Sequence, residues 1–222
     1  MQKIGTITIG QSPRVDIVPE LKTWLRADCE IIEKGALDGL SHAEIARLAP
    51  HEPQQDVLVT RLADGSSVTI THEAVIPRVQ QCIRELEKEV STILLLCTGT
   101  FPAFTTQVPL LIPEHLLYNF VRGIINPAFK LGVLTPSPDQ VPHQQQRWQK
   151  NVAHVSVAAA TPYADIAHVI EAGVALGKQG VDAIVLDCMG YTLEMKQRIR
   201  ERVDCPVILS RAVLARVAAE LA

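Results

Sequence analysis

Aromatic residues are scarce in this chain, at 4%, which argues against a surface built to stack bases. Lysine and arginine form no cluster and the net charge is only −3, so nucleic-acid binding through a basic face is excluded. Long apolar runs are missing too. The longest, residues 93–97, falls far short of the roughly 20 residues of a membrane helix. The start Met1-Gln2-Lys3-Ile4 runs straight into an alternating strand, which predicts no signal peptide. The five cysteines show no paired spacing, which points to reduced thiols and a cytoplasmic protein. Phosphate-loop and dinucleotide glycine patterns are absent, and so is the Gly-x-Ser-x-Gly turn of hydrolases. The seven histidines are scattered without ligand spacing, so no metal is expected.

What is present is a regular alternation of strand-length apolar runs with helical patterns across 222 residues, 47% of them hydrophobic. Strands are expected at residues 4–9, 30–33, 92–97, 130–134, 152–158, 181–186 and 207–209. Residues 57–62 and 68–71 flank Ala63-Asp64-Gly65-Ser66, a hairpin signal. Ser12 reads as an N-cap and Pro13 as the first residue of a helix through Arg26. Ser41 to Glu44 is a capping box. A helix over 113–124 would bury Leu116, Leu117 and Phe120, and 139–149 reads as a polar helix. The pattern predicts an α/β fold with mostly parallel sheets and a β-hairpin in the first half, built either as one large unit or as two small lobes.

Ligands of such sheets sit beyond the carboxyl ends of the strands. Two cysteines stand there. Cys97 ends an apolar strand and precedes Thr98-Gly99-Thr100, and Cys188 ends another and precedes Met189-Gly190-Tyr191-Thr192. Such turns expose backbone N–H groups that can hold a carboxylate. A cysteine at a strand end is ordinarily core, but the repeat of apolar strand, Cys, any residue and Gly singles out this pair. Cys29, Cys82 and Cys205 lack the context and are read as structural. Two thiols facing one cleft could remove a proton from one face of a carbon and return it on the other. Asp187 should point away from Cys188 by strand alternation. Arg14, with Gln11 and Ser12, sits where a guanidinium and helix amides could bind an anion together, or where it could simply pair with Asp16 or Glu20. Thr135, after a second-half strand, could line the same cleft.

The paired turns resemble the aspartate/glutamate/hydantoin racemase superfamily, in which each of two similar lobes offers one catalytic cysteine. Over the whole chain the sequence is similar to the AroM family, most specifically at Ile4-Gly5-Thr6-Ile7-Thr8-Ile9-Gly10-Gln11-Ser12-Pro13-Arg14 and at Leu186-Asp187-Cys188-Met189-Gly190-Tyr191. The resemblance implies an Asp/Glu racemase-like fold of two similar doubly wound lobes, the first spanning 1–112 with the hairpin inserted in it and completed by the C-terminal helix 209–222, the second spanning 113–208. It departs from the superfamily where Thr98 replaces the usual Asn, where Asp187 replaces a small residue, and where no His follows Cys188.

Together these readings lead to a cofactor-independent racemase or isomerase acting beside a carboxylate or carbonyl. Cys97 and Cys188 would be its acid and base, with Gln11, Ser12, Arg14, Thr98, Gly99, Thr100, Thr135, Gly190, Tyr191 and Thr192 lining the site. The alternatives are a decarboxylase or cis-trans isomerase of a small dicarboxylate that uses one cysteine, or a non-catalytic carboxylate-binding protein. The partner is a small carboxylate-bearing molecule, with neither nucleic acid nor membrane involved. A homodimer is the default by analogy of fold.

Overall fold

A computed structural model describes residues 2–51 and 56–221. The chain divides into two units, Met1–Pro113 with Leu214–Ala222, and Glu114–Val213.

The first unit carries β1 (Lys3–Thr8), α1 (Val18–Lys22), β2 (Glu30–Gly35), α2 (His42–Ala46), β3 (Val57–Arg61), β4 (Ser67–Thr71), α3 (His72–Leu86), β5 (Thr92–Leu95) and β6 (Leu110–Leu111). Its sheet has the order β2-β1-β5-β6, with every pair parallel. The strands β3 and β4 form the separate antiparallel hairpin. Val75, Val79, Ile83 and Leu86 of α3 pack with Ile7, Ile93 and Leu95 of the sheet and with Leu58 of the hairpin.

The second unit carries α4 (Pro113–Arg122), β7 (Lys130–Thr135), α5 (Val141–Gln149), β8 (His154–Ala159), α6 (Ile166–Gly177), β9 (Ala183–Leu186), α7 (Leu193–Arg200), β10 (Val207–Leu209) and the start of α8 (Ser210–Glu220). Its sheet, β10-β9-β7-β8, is again wholly parallel. Alternate strand residues bury opposite faces. Leu134, Ile184 and Leu186 pack on α6 and α7, while Leu131, Val133 and Val185 pack on α4 and α5.

Counted from its own first strand, each sheet has the order 2-1-3-4. The equivalence extends to single residues. β1 reads Lys-Ile-Gly-Thr-Ile-Thr and β7 reads Lys-Leu-Gly-Val-Leu-Thr. Ile7 lies opposite Leu95, and Leu134 opposite Leu186. Ser91 N donates to Lys3 O (2.9 Å) as Asp182 N donates to Lys130 O (2.7 Å). Ile93 N donates to Pro109 O as Ile184 N donates to Pro206 O, both at 2.9 Å. Two residues past each matched leucine stands a cysteine, Cys97 or Cys188.

Three local expectations are corrected. The first helix is Val18–Lys22, with Ile17 at its N-cap and no side-chain cap, and Val15 is 77% exposed. Ser12 is turned away from it, because the Asp38 carboxylate takes both its N–H (2.8 Å) and its hydroxyl (2.6 Å). In α4 Leu117 and Val121 are buried against the sheet and Phe120 is exposed, since the helix settles with its Leu117 face on the sheet. The helix that reads as polar, α5, buries Gln144, Arg147 and Trp148. The capping box at Ser41 and Glu44 is present as expected. Among the described residues no helix is long and apolar enough to cross a membrane.

Candidate active site

Parallel strands end their ladder together, so the loops after adjacent strands share one sheet edge. In the first unit that edge gathers the loop after β1, with Gln11, Ser12 and Arg14, and the segment after β5, with Cys97, Thr98, Gly99 and Thr100. Cys97 is half-buried, and its Sγ accepts the Gly99 N–H at 3.4 Å. A Cβ built on Gly99 would lie 2.7 Å from Leu58 Cδ2, so the hairpin closes directly over this turn. Beyond it, residues 98–109 form neither helix nor strand. Side chains from α3 and its end hold them: His72 bonds the Thr100 carbonyl, Gln80 bonds Thr105 at both backbone N and O, and Glu87 accepts the Gln107 N–H.

The loop after β1 is itself tied to protein groups. Gln11 accepts the Ala63 N–H at 3.0 Å. Arg14 is buried and donates through Nε and Nη2 to the two Asp16 oxygens, both at 2.8 Å, and through Nη1 to Thr8 Oγ1 at 3.0 Å. Asp16 also lies 3.8 Å from Arg61. Arg14 is thus paired with Asp16, in a buried setting where a bidentate fork is favourable.

In the second unit Cys188 is half-buried, and its Sγ accepts the Gly190 N–H at 3.3 Å. A Cβ on Gly190 would lie 2.7 Å from Pro162 Cγ and 2.7 Å from Tyr163 Oη. Only glycine fits between this sulfur-bound amide and the tyrosine. Tyr191 is fully buried and donates its hydroxyl to Ala160 O at 2.8 Å. Burial holds that phenol well above its ordinary range, with Cys188 adding to the effect. Thr192 caps α7, its Oγ1 accepting the Met195 N–H at 3.2 Å. Thr135 is buried at the end of β7 on Gln140 Oε1.

Asp187 turns into the interior as strand alternation demands. Its Oδ2 accepts from Arg147 Nη2 and, at 2.9 Å, from Trp148 Nε1. Glu114 lies 4.0 Å from Arg147 on the other side. Burial works against the Arg147 charge, but Asp187, Tyr118 and Glu114 outweigh it and hold the guanidinium above its usual value.

Four residues around Cys188 escape the sequence reading: Tyr163, Arg147, Ser210 and Arg211. Ser210 Oγ donates to Cys188 O at 2.9 Å, and Arg211 donates to Met189 O, through Nε at 3.0 Å and also through Nη2. The available signal was a lone arginine in the apolar run Val207 to Leu214. Burial pushes the Cys82 thiol up to about 11, and burial also raises Cys29 and Cys205. Among the described residues no group of three His, Cys, Asp or Glu is placed to hold a metal ion.

Solved structures share this architecture. The chain is similar to aspartate racemase from Picrophilus torridus, at 14% identity over 100% of this chain and 94% of that one, with a TM-score of 0.63. It is similar to arylmalonate decarboxylase at 18% identity over 100% and 92%, with a TM-score of 0.61. Maleate isomerase from Pseudomonas putida matches at 13% identity over 99% and 92%, with a TM-score of 0.65. At these identities the likeness establishes an Asp/Glu racemase-like fold. No curated protein matches the sequence. The AroM protein family model matches residues 4–222, and the chain belongs to the AroM family.

Proposed function

We propose that this protein is a cofactor-independent racemase or isomerase acting at a carbon next to a carboxylate or carbonyl, with Cys97 and Cys188 as its acid–base pair. One observation carries the reading: the same strand position, two residues past matched leucines, presents a half-buried sulfur in each unit, and each accepts the amide N–H two residues on. An N–H directed at sulfur favours the charged form that a general base needs. A free thiol near pKa 8.5 supplies only a few per cent thiolate at neutral pH.

In the proposed step one thiolate takes the proton from carbon and becomes a thiol. The electron pair spreads into the adjoining carboxyl or carbonyl. The other thiol then gives its proton to the opposite face and is left as thiolate. Nothing is oxidised or reduced, and the two sulfurs have exchanged roles. Gln11, Ser12, Arg14, Thr135, Tyr191 and Thr192, which bond protein groups, would line the substrate site together with the turns 97–100 and 188–190. A single-cysteine isomerisation or decarboxylation through Cys188 is the second reading, favoured because Ser210 and Arg211 fasten that turn and a capped helix follows it.

Small carboxylates bearing an α-hydrogen, incubated with the protein in deuterium oxide, test this by loss of the α-proton NMR signal. Exchange should occur with the wild type and fall about a thousandfold in both Cys97→Ser and Cys188→Ser. Loss in Cys188→Ser alone favours the single-cysteine reading. Exchange that survives both substitutions, or that no carboxylate shows, overturns the proposal.

A further inference from the structure

We infer that Arg211 is a positioning residue for Cys188, acting through the peptide between Met189 and Gly190. The inference rests on the reading of Cys188 as a working thiol, but it concerns that sulfur alone. The carbonyl of Met189 and the N–H of Gly190 belong to one planar unit and point in opposite directions. Arg211 takes the carbonyl end, with Nε at 3.0 Å and Nη2 on the same oxygen, and the N–H end then meets Cys188 Sγ at 3.3 Å. The guanidinium therefore fixes which way this peptide faces. It also polarises the peptide, and hydrogen bonds in such a chain strengthen one another.

Arg211 is 1% exposed. Burying a charge at a turn carbonyl is costly, and an apolar helix start would pack there without it. The matched position in the other sheet, five residues past Pro109 as Arg211 is five past Pro206, is Glu114, which lies beside Arg147. A carboxylate there cannot donate to a turn carbonyl as Arg211 does. Other ionisable groups stand around the Cys188 turn. Asp187 is on Arg147, the Tyr191 hydroxyl is on Ala160 O, and Tyr163 stands over Gly190 from the loop after β8.

The test reads the sulfur without needing a substrate. Iodoacetamide alkylation of each cysteine is followed by peptide mass mapping from pH 5 to 10. In Arg211→Met the midpoint for Cys188 should rise by about half to one pH unit, so that its alkylation at pH 7 slows about three- to tenfold. Cys97, with Gly99 as its donor, should keep its midpoint in the same samples. Arg211→Lys keeps the charge but loses the second donor, and should restore most of the wild-type midpoint. If Arg211→Met does not fold, Arg211→Lys carries the test, and a smaller rise in the same direction is expected. A Cys188 midpoint that stays put in Arg211→Met, or in Arg211→Lys where that variant alone folds, overturns the inference. Such a result would leave the two-cysteine proposal standing, because that proposal is judged by exchange at carbon.

Discussion

The turns at Cys97 and Cys188 begin alike and end differently. Each follows the third strand of a 2-1-3-4 sheet, and each places a glycine amide on its own sulfur. Just before the sulfur the first has a buried leucine, Leu96, and the second has Asp187, buried on Arg147 and Trp148. Over the glycine the first has the Leu58 methyl group, and the second has Pro162 and the Tyr163 hydroxyl. After it the first runs into an irregular segment held by α3, and the second into α7 capped by Thr192. The repeated strand fixes where a thiol goes. The surroundings, different in each unit, decide how that thiol behaves.

Making the second turn like the first is the severest way to break the comparison. Asp187→Leu gives the second unit the residue type of the first and strips Arg147 of its closest carboxylate. Uncompensated buried charge of this kind costs about 3–5 kcal/mol, to be read from urea denaturation. Adding Arg147→Met should regain part of the loss, because the stranded guanidinium goes with it. If Asp187→Leu costs nothing, the cluster is not what anchors the end of β9.

A smaller effect separates the two glycines. Gly190→Ala drives a methyl into the rigid ring of Pro162 and the Tyr163 hydroxyl, and should cost about 2–3 kcal/mol. Gly99→Ala meets the end of the Leu58 side chain, which can rotate away, and should cost about 1 kcal/mol. Equal losses in the two variants would contradict the unequal covers described for the two turns.

Much of the fold can be read along the chain because it rests on local pattern. Continuous apolar runs mark the parallel strands, the capping box marks α2, and Ala63 to Ser66 marks the hairpin turn. Asp187 could be sent away from Cys188 by alternation alone. What escaped depends on partners distant in sequence. Ser12 has the chemistry of a cap, but Asp38, 26 residues on, wins its hydroxyl. Arg147 is polar by any local measure, and Asp187, 40 residues later, with Glu114 and Tyr118 makes its burial tolerable. Arg211 is hidden for the same reason, since its partner is a backbone carbonyl and carries no side-chain signal. The match of Lys3–Thr8 to Lys130–Thr135 was legible as six aligned residues. Short strands of Ile, Leu, Val and Thr look alike everywhere, so the match gains meaning from the shared ladder.

The central claim is that two different sulfurs serve one carbon, and the fate of the deuterium label tests it most directly. A single enantiomer that the protein turns over is placed in deuterium oxide and followed to low conversion, with product and remaining substrate separated on a chiral column and weighed by mass spectrometry. With two bases, the product enantiomer should carry one solvent deuterium while the recovered starting enantiomer remains almost wholly protiated. Product that keeps the original proton, or starting material that gains deuterium as fast as product forms, would mean a single base and contradict the account.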